Sequence, residues 1–188
     1  MDLSISFEDE EYLPLTDTEL INAVCEALEW ECNRCGGVGP GSIPEEFSLR
    51  TKGSISIAAY VERLYEYLDC SDSVFVTALI YLRRIQRLNG DNRLTHMNVQ
   101  KLFATATLIA LKFHDDEHYA NDYMAQIFGM AGLEEINRLE VSMLSLLGFR
   151  MSVSTEEFLR EKALMMNDLV SSPAVFSTAV SQSFAVRV

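Results

Sequence analysis

The sequence predicts an all-α domain of about six or seven helices wrapped around one buried helix. Three observations carry that expectation. Residues 94–116, LTHMNVQKLFATATLIALKFHDD, are almost free of helix breakers, and from Leu102 to Phe113 they are apolar or small on nearly every side, which marks a helix enclosed by others. Elsewhere apolar residues recur three and four apart in runs opened by a capping residue or closed by glycine. No stretch alternates as a strand does, and none repeats.

The chain has 188 residues, 48 % of them hydrophobic, long enough for one well-buried core and short for two. Three regions are expected: 1–53, an acidic lead-in, a helix and a Gly/Pro-rich connection; 54–165, the helical body; and 166–188, a C-terminal extension. In the lead-in, Tyr12, Leu13 and Leu15 surround Pro14 and suit docking on the body. Thr16 with Glu19 fits a capping box for a helix to about Glu31, with Leu20, Val24 and Leu28 on its apolar face. The glycines and prolines between Gly36 and Gly53 read as an irregular connection.

Ser54 or Ser56 caps the next helix, in which Ile57, Val61, Leu64 and Leu68 share a face, ending near Asp69-Cys70-Ser71. Ser71 or Ser73 caps SVFVTALIYLRRIQRL, predicted to bury Phe75, Ala78, Leu79, Leu82 and Gln86 and to end before the Asn89-Gly90-Asp91-Asn92 turn. Thr95 restarts the chain as the central helix. A short helix, DYMAQIFG, then ends at Gly129, and a long one runs from Leu133 to about Leu147 with Gly148 as its cap. Its apolar face is expected to hold Leu133, Ile136, Met143, Leu144 and Leu147. Glu140 falls in the middle of that face. A further capping box, Ser154 with Glu157, opens a last helix with Phe158, Met165 and Leu169 inward.

A net charge of −13 without a Lys/Arg cluster repels phosphate backbones, so no direct nucleic-acid binding is expected and protein partners are favoured. The start MDLSISFEDEEY is acidic, unlike a secretory signal, so the chain is expected inside the cell, in cytoplasm and/or nucleus. The longest apolar run, between Lys101 and Lys112, is well short of the roughly 20 residues of a membrane span. Cys25, Cys32, Cys35 and Cys70 suit a reducing compartment, and Cys32-x-x-Cys35 lacks a second half for a zinc site, so it reads as a helix end and no metal or cofactor is expected. With no nucleophile motif or phosphate-binding glycine loop near them, His96, His114 and His118 read as surface histidines, and no enzymatic activity is expected.

The segments SISIAAYVERLYEYLDCSDSVFVTALIYLRRIQ, LTHMNVQKLFATATLIALKFHDDEHYANDYMAQIFG and LEEINRLEVSMLSLLGFRMSVSTEEF resemble the cyclin box of the P- or U-type cyclins, the phosphate-pathway group. The resemblance spans roughly Ser54 to Met165, and its most specific piece runs from Ala110 to Asn121. It implies a five-helix fold whose third helix is central, flanked by additional N- and C-terminal helices, and a role as regulatory subunit of a cyclin-dependent protein kinase, monomeric alone or heterodimeric with the kinase. It further implies that Lys112 and Glu140 grip the backbone at the start of the kinase C helix, and by motif position Phe113, Leu144, Phe149 and Met151 become candidate contacts. For those four, ordinary core packing is the rival reading. A carboxylate among apolar neighbours demands a partner, and an intramolecular pair with Lys112 is the rival for Glu140.

One departure stands out. The family usually has Asp in a Y-L-D-R run, paired with an arginine that aligns with Arg63, whereas here the run is Tyr81-Leu82-Arg83-Arg84. Glu62 or Glu66 is the expected partner of Arg83, leaving Arg63 free. Competing functions are a general-transcription-factor-like module of the same fold, which the acidic charge opposes, and a non-catalytic helical adaptor.

Overall fold

The computed structural model describes residues 16–34, 42–51, 55–88, 93–116 and 119–171, the last five as backbone alone. Its helices are α1 (Asp17–Arg34), α2 (Ile57–Tyr67), α3 (Asp72–Leu88), α4 (Val99–His114), α5 (Asn121–Phe128), α6 (Leu133–Leu146) and α7 (Thr155–Ser171), with a 3-10 turn at Glu45–Phe47. There is no strand among the described residues. The expectations for Tyr12, Leu13 and Leu15, Cys35, Ser54, the Asn89 to Asn92 turn, His118, the Leu169 side chain and the chain after Ser171 lie outside them.

Helices α2 to α6 form the expected five-helix bundle, with the third of them, α4, at the centre. From Leu102 to Leu111 no α4 side chain exceeds 3 % exposure. Burying two threonines there is tolerable because Thr105 and Thr107 donate to the carbonyls of Lys101 and Phe103, at 2.7 and 2.8 Å. α4 packs against α3 on one side and α6 on another, while α1 and α7 pack on each other and on α3. α3 is therefore interior as well. Val76, Thr77, Ile80 and Tyr81 are buried beside the residues the one-sided pattern predicted, because α7 and α1 cover the second face.

Side-chain caps open α1, α2 and α7. Thr16 and Glu19 close the reciprocal box, the Thr16 N–H donating to Glu19 Oε2 at 2.9 Å and the Glu19 N–H to Thr16 Oγ1 at 3.3 Å. Ser56 accepts from the Ala59 N–H at 3.1 Å. The central helix begins at Val99, a turn later than Thr95, because Asn98 turns its side chain back to the Thr95 N–H at 2.8 Å and the Arg93 carbonyl at 3.0 Å. Ser71 spends its hydroxyl on Asp115 Oδ1, 2.8 Å away, tying the start of α3 to the end of α4. α1 continues past Glu31 to Arg34, whose guanidinium pairs with Glu31 at 2.9 Å and lies over the Trp30 ring. Cys32 is thus a buried helical residue.

Several expectations need correcting. Leu133 is 49 % exposed, while Leu139, outside the expected apolar face, is buried on α6 with Ile136 and Met143, because which side of a helix is covered is set by its neighbours and not by its own pattern. Only the serine half of the second capping box forms: Ser154 Oγ accepts from the Glu157 N–H at 3.2 Å, while the Glu157 carboxylate goes to Arg84 at 2.5 Å. Arg83 pairs neither with Glu62 nor with Glu66 but with Glu161 of α7, at 2.8 Å. Nor is Arg63 free, since it donates to the Gln126 carbonyl at 2.9 Å, near the end of α5.

Candidate functional site

The last turn of α4 and the middle of α6 meet where Lys112 faces Glu140. Lys112 Nζ lies 2.7 Å from Oε1 and 2.9 Å from Oε2. Both side chains are partly open, at 27 % and 19 % exposure. Asn98, Lys101, Thr105 and Lys112 fall on one side of α4, and this polar side is not a solvated face, since Asn98 and Thr105 are buried and both lysines are paired. Lys101 pairs with Glu135 at 2.6 Å and Lys112 with Glu140, joining α4 to α6 in the same order along both helices.

α5 supplies a third group. Asn121, its first residue, donates through Nδ2 to Glu140 Oε2 at 2.9 Å and to Asn137 Oδ1 at 2.7 Å. An ionised carboxylate offers about four acceptor positions and an ammonium three donors. Lys112 occupies one position on each oxygen and Asn121 a second on Oε2. One acceptor position on Oε1 and one ammonium hydrogen remain beside each other at the surface. These are the two valences that a peptide group's N–H and C=O require.

Apolar groups surround this pair. Phe113, next to Lys112, is 49 % exposed and set edge-on to His114. Leu144, one turn from Glu140, is partly buried against the core, as is Met151, whose carbonyl accepts from the Tyr81 hydroxyl at 2.7 Å. Core packing and surface display are thus combined in Leu144 and Met151, whereas Phe113 and Phe149 point outward. Phe149 is 65 % exposed and sits at φ 57°, the one non-glycine residue at positive φ among those described. The reason is the end of α6: the Gly148 N–H donates to the Ser145 carbonyl and the Phe149 N–H to that of Leu144, both at 3.0 Å. This C-terminal hydrogen-bonding motif closes the helix and throws the ring into solvent. A bulky side chain in that conformation is strained.

Val141 was not legible as a candidate. It is 63 % exposed on α6, directly after Glu140. Stepping 100° per residue sets it beyond Leu144, on the side away from the buried face, but that pattern does not say whether a neighbour covers it.

In the run from Ala110 to Asn121, several of the described residues make contacts that join elements. Lys112 and Asn121 hold Glu140, Asp115 holds the Ser71 backbone and hydroxyl, and Tyr119 packs its ring on Tyr123 at 4.9 Å between centroids. His114 Nε2 lies 3.2 Å from the Tyr81 hydroxyl, and partial burial holds its pKa below the ordinary 6.5. His96 lies 3.4 Å from Asn33. His96 and His114 thus meet different partners, and no group of His, Cys, Asp and Glu among the described residues is placed to hold a metal ion. No described helix is long and apolar enough to cross a membrane.

A cleft of about 880 Å³ opens at the pair of Lys101 and Glu135, lined also by Glu46, Arg50, Leu133 and Arg138 among others. Its charges are largely cross-linked. Lys101 also donates to the Glu46 carbonyl at 2.9 Å, and Glu46 binds Arg138 at 3.2 Å and the Ser142 hydroxyl. These bonds fasten the 3-10 turn to α4 and α6 and hold the two helices that carry the pair.

Residues 40–151, more than half of the chain, match the family model described as Cyclin. Cyclin-U1-1 of Arabidopsis thaliana is 35 % identical over 162 residues, 81 % of this chain and 76 % of that protein. Cyclin-U4-3 of the same organism is 38 % identical over 130 residues, 65 % of this chain and 59 % of that protein. Cyclin-P4-1 of Oryza sativa subsp. japonica is 37 % identical over 123 residues, 65 % of this chain and 58 % of that protein. The chain thus spans about three quarters of the first relative and less than two thirds of the other two.

Proposed function

The chain belongs to the cyclin family, and from that premise we propose that it is the regulatory subunit of a cyclin-dependent protein kinase, gripping the start of the kinase C helix with Lys112 and Glu140. The observation that carries this reading is the pair itself. A salt bridge with one donor and one acceptor left over, next in the chain to exposed Phe113 and Val141 and on the helix that exposed Phe149 follows, suits the open backbone at a helix start. Each orphan N–H there lacks an intrahelical acceptor.

The kinase supplies the chemistry. Its C helix carries a glutamate that must pair with the ATP-positioning lysine, so a subunit that presses the helix inward assembles the phosphoryl-transfer site. In this reading Glu140 Oε1 accepts a backbone N–H, the remaining Lys112 hydrogen goes to a carbonyl, and Phe113, Val141, Leu144, Phe149 and Met151 supply the apolar contact. Because the pair is already formed in the free chain, little side-chain freedom is lost on binding.

Co-purification from native lysate followed by a protein-kinase assay tests the proposal. The expected result is recovery of a cyclin-dependent kinase whose activity rises with the chain. Glu140→Ala and Lys112→Ala are each expected to weaken binding about tenfold or more, the weight of a charge-assisted contact at an interface, with helical content unchanged. No kinase in the eluate, or wild-type affinity in both variants, overturns it.

A further inference from the structure

Two groups converge on Glu140, Lys112 and Asn121, and the second has a cost that the fold alone does not explain. The orientation of its amide is dictated by chemistry. The Glu140 carboxylate only accepts, so the end of Asn121 that faces it at 2.9 Å is the NH2 group. Its second amide hydrogen goes to Asn137 Oδ1 at 2.7 Å, so both donors are spent on α6. The amide oxygen is enclosed and meets no donor among the described residues. A buried acceptor left without a partner is unfavourable. Asn121 also occupies the first turn of α5, where an aspartate would interact better with the helix dipole. An aspartate would lose both bonds to α6 and set a second carboxylate against Glu140, so only the amide holds Glu140 from this side, and it does so with its own oxygen left unpartnered.

We propose that Asn121 is the positioning residue of the grip: by holding Glu140 Oε2 it leaves Oε1 as the oxygen with an acceptor position to offer. With Lys112 as its sole partner, the carboxylate can turn about its side-chain bonds while keeping the ion pair, and the open position turns with it. With Asn121 attached to Oε2, the direction of the open position is set by three elements, α4, α5 and α6. The incoming N–H then meets an acceptor already aimed, which preserves the orientation on which a hydrogen bond depends. This inference rests on the kinase-regulatory reading given above.

The test is a double-mutant cycle read by affinity for the kinase that co-purifies with the wild-type chain. Asn121→Ala is expected to weaken binding about tenfold, the factor carried by one hydrogen bond to a charged group. Asn121→Asp is expected to weaken it further, since a second carboxylate faces Glu140, although aspartate suits the start of α5. In a Glu140→Ala background Asn121→Ala is expected to cost nothing more, because there is no carboxylate left to aim. Thermal unfolding of each variant accompanies the cycle, and a midpoint near that of wild type separates lost aim from lost fold. A merely structural role predicts that affinity falls only as far as the unfolding midpoint does. That pattern, wild-type affinity in Asn121→Ala, or additive losses with Glu140→Ala overturns the positioning role while leaving the grip standing. If the wild-type chain binds no kinase, both fall.

Discussion

Glu140 and Phe149 show how single residues separate stability from function in this molecule. Lys112→Met leaves the Glu140 carboxylate with Asn121 alone in a partly enclosed site, and an equilibrium urea titration is expected to show a loss of about 1–2 kcal/mol, between the values for exposed and buried pairs. Phe149→Gly has the opposite sign. It removes a large side chain from positive φ, and the same titration is expected to show a gain of about 0.5–1 kcal/mol, while affinity for the kinase falls several-fold. Stability and binding moving in opposite directions would identify Phe149 as an interface residue, whereas a joint loss would make it a packing residue. His114 gives a pH signature at the same scale. Its depressed pKa contributes stability that is present above the ordinary 6.5 and is lost as pH falls through the folded value. Thermal midpoints are therefore expected to drop on acidification from pH near 7.5 to near 5.5, and less so in His114→Gln.

At the scale of elements, the departure in the Tyr81 to Arg84 run is a change of partner helix. Where the family's usual aspartate would brace the first two box helices, Arg83 and Arg84 reach α7. Arg84 donates to both Glu157 oxygens at 3.1 and 2.5 Å and to the carbonyls of Arg150 and Ser152 at 2.6 and 2.8 Å. It therefore fixes the segment that follows α6, including the backbone on either side of Met151. Arg84→Ala strands two carbonyls and a carboxylate, and about 2–3 kcal/mol of unfolding free energy is expected to disappear in urea. The Arg84 guanidinium also lowers the Glu157 pKa. That stabilisation is present above the unfolded carboxylate pKa and is lost as pH falls through the folded one, so Arg84→Ala should flatten the acid limb of the stability profile. Glu161 behaves in the opposite sense, because burial raises its pKa. Its contribution is present below the unfolded value and is lost as pH rises through the folded one.

Across the whole molecule, the net charge of −13 is not spread evenly. Arg84, Arg87 and Arg150 line one small pocket together, a grouping that chain order conceals because they come from α3 and from the segment after α6. Glu157 offsets Arg84 within hydrogen-bond distance, and Glu161 similarly faces Arg83, so the group does not amount to a basic binding face. A DNA-binding module of this fold should bind duplex DNA with an affinity that falls steeply with salt. No such binding is expected at low ionic strength, and its appearance in an electrophoretic shift titration would favour the transcription-factor reading.

The all-helical fold, the central position of α4 and the anomaly of Glu140 follow from the sequence alone, because helical periodicity and the cost of a carboxylate on an apolar face are local properties. The first capping box and the Ser56 cap were legible for the same reason: their partners lie three residues apart. Partner choice across the fold was not. Arg83 with Glu161, Arg84 with Glu157 and Asn121 with Glu140 join residues distant in the chain, and several acceptors of the right charge competed for each. The same limit hid the second buried face of α3, the exposure of Leu133 and the display of Val141, since a helix's own pattern does not say how many neighbours cover it. The sequence determined which faces needed cover and which charge needed a partner, while the tertiary structure decided which groups met, because only the packing of α3 on α7 and of α4, α5 and α6 on one another brings those particular atoms within hydrogen-bond distance.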